Sequence, residues 1–328
     1  MDMKHSKKIP VIIVLLAVLI TGVVFLLIKG RKEEEAPVQA KAENKSYRIK
    51  EADGERYRYN SDLLSLLFLG IDSSDEEIHG QSDAIDLVIF DREKSRIRIL
   101  SISRDSMVPI QVFNARNENL GWEMQHLALA SSYGSSGERG CMLAAEAVSR
   151  MLGEVPVVYY GAADISSIAR FQELIGEMRI TLPEGFQGLP KDIPVEGNEA
   201  VITPQNVESF VRIRDVQERF SNETRMERQK LYMEAYMNHL RGMLDSDFEG
   251  TVRKMKNLFP LMLSNIGIDE VSAFAEMLLE YQYNSSEDFY TVEGSDREGR
   301  FHDEFQVDEK ALERTVLNLF YEKEEQKQ

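Results

Sequence analysis

"AIDLVIFDREKSRIRILSIS", residues 84–103, decides how this chain folds. The first seven residues form an apolar run. Farther on, Ile97 and Ile99 and then Leu100 and Ile102 alternate with polar or small neighbours, as a partly buried strand does. The charged Asp91-Arg92-Glu93-Lys94 between the two runs predicts a hairpin connection, and hence an antiparallel pair. Upstream, "LLSLLFLG" at residues 63–70 reads as another buried strand. Downstream, helical stretches over 140–152 and 165–175 alternate with strand-like runs at 156–163 and 178–183. A loop-rich segment, 185–203, precedes a long helix over about 223–244, and further helices are expected near 268–281 and 308–321. Strands interleaved with helices make an α/β protein, and the hairpin makes its sheet mixed rather than all-parallel. The expected fold is a three-layer-like sandwich, a central mixed β-sheet flanked by helices.

At 328 residues, with 43% hydrophobic and 29% charged side chains, the chain has the composition of a folded globular protein. Its net charge of -17 excludes a nucleic-acid binder, which needs a broad basic surface. Anionic ligands stay possible wherever arginines cluster locally. Cys141 is the single cysteine, so no intrachain disulfide forms, and its alanine-rich surroundings read as core. Residues 9–28 carry no charge and have roughly the length that spans a bilayer as a helix. No cleavage-site pattern follows, which predicts a single transmembrane anchor after a short tail, residues 1–8, cytoplasmic if the domain lies outside the cell. Basic residues on both sides of the run leave its orientation open. Residues 29–61 read as a charged linker, 62–324 as the globular domain and 325–328 as a tail.

Strand ends are where ligands sit in α/β sheets. Asp72 follows the first strand, Asp83 precedes the second, and Arg104 with Asp105 follows the third. Two carboxylates and an arginine at one sheet edge suit a divalent cation with an anionic ligand, although strand-end salt bridges would use the same residues. Farther on, "VRIRDVQERFSNETRMERQKLY" holds Arg212, Arg214, Arg219, Arg225 and Arg228. Arg212 and Arg214, in an extended chain, would point the same way. Arg225, Arg228, Gln229 and Tyr232 fall on one helical stripe. Arginines opposing a helix N-terminus suggest an anion held between them, since guanidinium forks grip phosphate bidentately. A solvated face with Glu218, Glu223 and Glu227 as partners is the competing reading.

These motifs, in this order, resemble the LytR–CpsA–Psr (LCP) family of bacterial cell-envelope proteins. The resemblance runs from about Leu63 to Tyr321 through Gly-x-Asp, Ser-Asp, Ser-x-x-Arg-Asp, Arg-x-Arg and Arg-x-x-Arg-Gln. It implies a membrane-anchored transferase that attaches a glycopolymer from a polyprenyl-pyrophosphate carrier to peptidoglycan, with Mg²⁺ as cofactor. It also places the domain outside the cell on a single-pass anchor in the cell membrane. Carried over by motif, Asp72 and Asp83 would hold the metal and act catalytically with Arg104. Arg104, Arg212, Arg214, Arg225, Arg228, Gln229 and Gln81 would hold the pyrophosphate. The chain departs from the family pattern at Ser74 and Gln81, where arginines are usual, and at Asn222-Glu223-Thr224, where Asp-x-Gly is usual. It also has no counterpart of the asparagine common after the Arg-Asp strand. The departures raise an alternative, a non-catalytic polyprenyl-phosphate-binding envelope protein.

Overall fold

The computed structural model describes residues 45–73, 78–213, 222–268, 271–299 and 302–324. In chain order the strands are β1 (Ile49–Ala52), β2 (Glu55–Tyr59), β3 (Leu63–Ser73), β4 (Gly80–Asp91), β5 (Arg96–Ser101), β6 (Met107–Phe113), β7 (Asn119–His126), β8 (Tyr159–Asp164), β9 (Met178–Thr181), β10 (Val195–Glu196), β11 (Glu199–Ile202), β12 (Met262–Ser264), β13 (Phe289–Thr291), β14 (Gly294–Glu298), β15 (Asp303–Val307) and β16 (Tyr321–Lys323). The α-helices are α1 (Gly137–Met151), α2 (Ile168–Ile175), α3 (Val207–Arg212), α4 (Asn222–Ser246), α5 (Phe248–Leu258), α6 (Val271–Glu280), α7 (Ser285–Asp288) and α8 (Glu309–Phe320).

The central sheet has six strands in the order β12-β8-β3-β4-β5-β13. β3, β4 and β5 form an antiparallel meander, while β8 joins β3 and β13 joins β5 in parallel, so the sheet is mixed as expected. The expected hairpin is there: the buried Asp91 accepts from the Lys94 backbone at 3.0 Å and pairs with Arg98 at 2.9 Å. Alternation along the strands builds two cores. Phe68, Val88, Phe90 and Ile97 pack against Phe171, Phe210, Tyr232 and Phe274 from α2, α3, α4 and α6. Leu67, Leu69, Leu87 and Leu100 pack against Cys141 and Val148 of α1, Ile110 of β6 and Phe320 of α8. Both faces being covered explains why β3 and β4 read as continuous apolar runs.

Several expectations need correction. The expected linker, 29–61, contains the β1–β2 hairpin, and β16 closes that hairpin into a three-stranded sheet. Tyr59, Tyr47 and Tyr321 pack edge-to-face there and supply an apolar patch that short, charged strands hide in sequence. The loop-rich stretch 185–203 contains β10 and β11, which pair with β9. The β6–β7 hairpin and α5 are additions to the expected elements. Arg212 lies at the end of a helix, not in extended chain, because Val207, Phe210 and Val211 bury at i, i+3 and i+4. Among the described residues no helix is long and apolar enough to cross a membrane; the apolar run 9–28 lies outside them, as do Ser74, Arg214 and Arg219.

Candidate functional site

The site is built where β3 ends and β4 begins. Asp72 and Gln81 are cross-strand partners there. Just beyond them the register shifts: Ile71 faces Ser82, but Gly70 faces Ala84, so Asp83 is an extra residue at a β-bulge. Bulges re-aim side chains, and this one frees the buried Asp83 from the strand's alternation. Gly80 makes the closure possible, since a Cβ there would stand 2.3 Å from the Asp72 carbonyl oxygen.

Arg104 arrives from the adjacent strand end. Its guanidinium donates to Asp83 and, at 2.9 Å, to the Gln81 side-chain oxygen, with Asp105 at 3.5 Å. Its backbone is fixed as well, because the Arg104 carbonyl accepts from Ala128 N at 3.0 Å in the 3-10 turn Leu127–Ser132. The Ser131 hydroxyl of the same turn bonds Ser82 at 2.5 Å and the Gly80 carbonyl at 2.8 Å. α1 presses on this turn through Gly140, where a Cβ would stand 2.2 Å from Ser131 O. Helix, turn and strand thus hold in place the backbone that carries Arg104 and Asp83.

Arg212 approaches from the far side. One nitrogen lies 3.9 Å from Asp72 and another bonds Glu208, one helical turn back. Behind it, Arg225, Arg228, Gln229 and Tyr232 form the expected stripe on α4. All four are buried, at 2% exposure or less, so the stripe is not a solvated face. Arg228 donates to the main-chain carbonyls of Gly188 and Ile213, and Gln229 donates to Val211 at 3.0 Å. These two residues therefore secure the segment that carries Arg212. Burial lowers the Arg228 pKa to about 10, which leaves it charged at neutral pH.

Two contact groups thus stand side by side, Arg212 with Asp72 at 3.9 Å and Arg104 with Asp83 and Gln81, joined through the cross-strand pair Asp72 and Gln81. Two nearby residues escape sequence reasoning. His126, at the end of β7, has Nδ1 3.8 Å from Asp105, and burial lowers its pKa. Asp164 accepts from the Ser73 hydroxyl and backbone and so pins the end of β3. Neither stands in a motif, and only the register of β8 beside β3 brings Asp164 close. Among the described residues no group of three or more metal-ligating side chains occurs.

Residues 24–320 match the LytR_cpsA_psr family. The chain belongs to that family. Its LytR_cpsA_psr fold is shared with Bacillus subtilis TagV, at 20% identity and a TM-score of 0.61, over 79% of this chain and 96% of TagV. TagT bound to LI-WTA aligns at 19% identity and a TM-score of 0.60, over 79% of this chain and 90% of TagT. A Staphylococcus aureus protein without an assigned function is 25% identical over 204 residues, 60% of this chain and 44% of that protein, so the match spans less than half of the relative's length.

Proposed function

We propose that this protein is a membrane-anchored transferase that moves a glycopolymer from a polyprenyl-pyrophosphate carrier to peptidoglycan during cell wall assembly. The observation that carries the reading is the pairing of Arg104 with Asp83 and of Arg212 with Asp72 where β3 ends and β4 begins. Family membership and a fold neighbour held in complex with LI-WTA support it. In this reading the apolar run 9–28 is the anchor, with the domain outside the cell.

Arg104 turns from Asp83 to the incoming diphosphate, and Arg212 grips it from the other side, joined by Arg214 and Arg225. Gln81 orients Arg104, and Arg228 and Gln229 keep the arginine segment in place. The acceptor hydroxyl oxygen bonds to the phosphorus that carries the polymer, and the bond from that phosphorus to the bridging oxygen breaks. Prenyl phosphate leaves, and Asp83 takes the hydroxyl proton. Fixed guanidinium charge stabilises the negative charge that develops on the leaving oxygen. Two carboxylates with phosphate oxygens and water form a donor set that suits Mg²⁺, and Asp72 and Asp83 would hold it. Bound there, the cation would add Lewis-acid stabilisation of the diphosphate.

The test is wall-linked polymer in cells carrying Asp83→Asn or Arg104→Ala. The proposal expects attachment to be lost with the protein still folded and abundant; normal attachment refutes it. Gln81 favours a second reading. A neutral amide occupies an Arg104 donor at 2.9 Å where the family usually offers another arginine, which suits lipid-phosphate binding without turnover. Purified protein that retains prenyl phosphates but shows no Mg²⁺-dependent transfer would establish it.

A further inference from the structure

A cleft of about 800 Å³ opens beside the arginine site. Ser103, the residue before Arg104, lines it, and so does Met226, the residue after Arg225. Its walls are the first turns of α4, strand β13 and the β14–β15 hairpin. The chemistry of this cleft is the reverse of that next door. Among the described residues four carboxylates line it, Glu227, Glu293, Asp296 and Asp308, with one ammonium, Lys230, while Arg314 and Lys310 act on Asp308 from nearby. Backbone N–H groups of Ala311 and Lys310 hold the Asp308 carboxyl below its usual range, so it stays charged. Lys230 lies over the Phe289 ring, 5.5 Å from its centre. Phe289 and Phe305 give the walls apolar rings, and Ser103 and Thr291 add hydroxyls.

A phosphate-rich polymer is repelled by such a surface, since like charges brought together oppose binding. An uncharged sugar chain fits it. Sugar C–H faces cover aromatic rings, and sugar hydroxyls donate charge-assisted hydrogen bonds to carboxylates. We propose that this cleft is the acceptor subsite, and that it takes a neutral, hydroxyl-rich glycan while excluding the anionic donor polymer. Two adjoining surfaces of opposite charge then sort the two substrates, with Ser103 and Arg104 at their seam. The proposal rests on the transferase reading but is tested apart from it.

The experiment is calorimetric titration of the full chain in detergent micelles with an N-acetylglucosamine tetramer, with a ribitol-phosphate oligomer and, separately, with inorganic pyrophosphate. The expected result is tetramer binding that weakens at least fivefold in Phe289→Ala and in Thr291→Trp. The second variant fills the cleft from an exposed position and keeps the test valid if the first unfolds. Glu227→Lys combined with Glu293→Lys is expected to raise affinity for the ribitol-phosphate oligomer at least tenfold and, by removing two hydroxyl acceptors, to weaken tetramer binding at least threefold. No tetramer binding, binding indifferent to both cleft substitutions, or a native preference for the phosphate oligomer at the cleft each overturns the proposal. Arg104→Ala should abolish pyrophosphate binding and leave the tetramer bound. Tetramer binding without any pyrophosphate binding would remove the transferase reading and leave the cleft as a glycan site.

Discussion

Asp83 and Asp86 stand three residues apart on β4, both buried, yet their surroundings give them opposite chemistry. Asp83 sits at the bulge, where the broken register lets Arg104 reach it. Asp86 sits in the regular part of the strand, opposite Phe68 on one side and Ser101 on the other. Burial pushes its carboxyl up to about 7, and the Ser101 hydroxyl opposes this only in part. Depth is the same for both, so depth does not decide whether a carboxylate works as a charge. A guanidinium delivered from the next strand end does.

The sharpest way to break this contrast is to remove the guanidinium. Arg104→Ala should strand Asp83 without its cation, abolish polymer attachment and cost about 3 kcal/mol, read by chemical denaturation. Its attachment loss should be matched by Asp83→Asn, which should cost far less stability because a neutral amide needs no cation. Next in size is Arg228→Met, which leaves the carbonyls of Gly188 and Ile213 without their donor. A loss of about 2–3 kcal/mol is expected, with weakened diphosphate binding through a loosened Arg212. Asp86→Asn tests the other half of the contrast. The folded-state pKa of Asp86, about 7, lies above its value in the unfolded chain, so the native form binds the extra proton between those two values. The penalty is absent at low pH, grows as pH rises through that window and is complete above it. Asp86→Asn should therefore match the native protein at pH 4 and exceed it by on the order of 1–3 kcal/mol at pH 8. The smallest effect belongs to Cys141, whose thiol burial pushes up to about 12. It should resist alkylation at pH 8 in the folded protein and react on unfolding, and rapid native labelling would place it outside the core.

Much of this architecture is legible in the residues themselves. The hairpin of β4 and β5 shows as apolar runs around four charged residues, and local spacing is enough because its partners are neighbours in sequence. Asp72, Asp83 and Arg104 stand out as strand-end charges, and the α4 stripe follows from helical spacing. The β1–β2 hairpin reads as linker because its strands are short and charged, and its closing partner β16 lies more than 250 residues away. The acidic cleft is hidden for the same reason, since α4 lies far before β13 and β15 along the chain. The bulge at Asp83 escapes because a register shift is a property of two strands together.

Local periodicity, charge and motif order determined on their own that this chain is a mixed α/β domain of one family with arginines and acids at its strand ends. They could do so because hydrophobic alternation and helical spacing act over a few residues. Tertiary structure alone decided which acid meets which arginine, which arginines face main-chain carbonyls, and where an acidic cleft adjoins a basic site. Those outcomes depend on distances between segments far apart in the chain, which only the packed sheet and its two helical layers bring together.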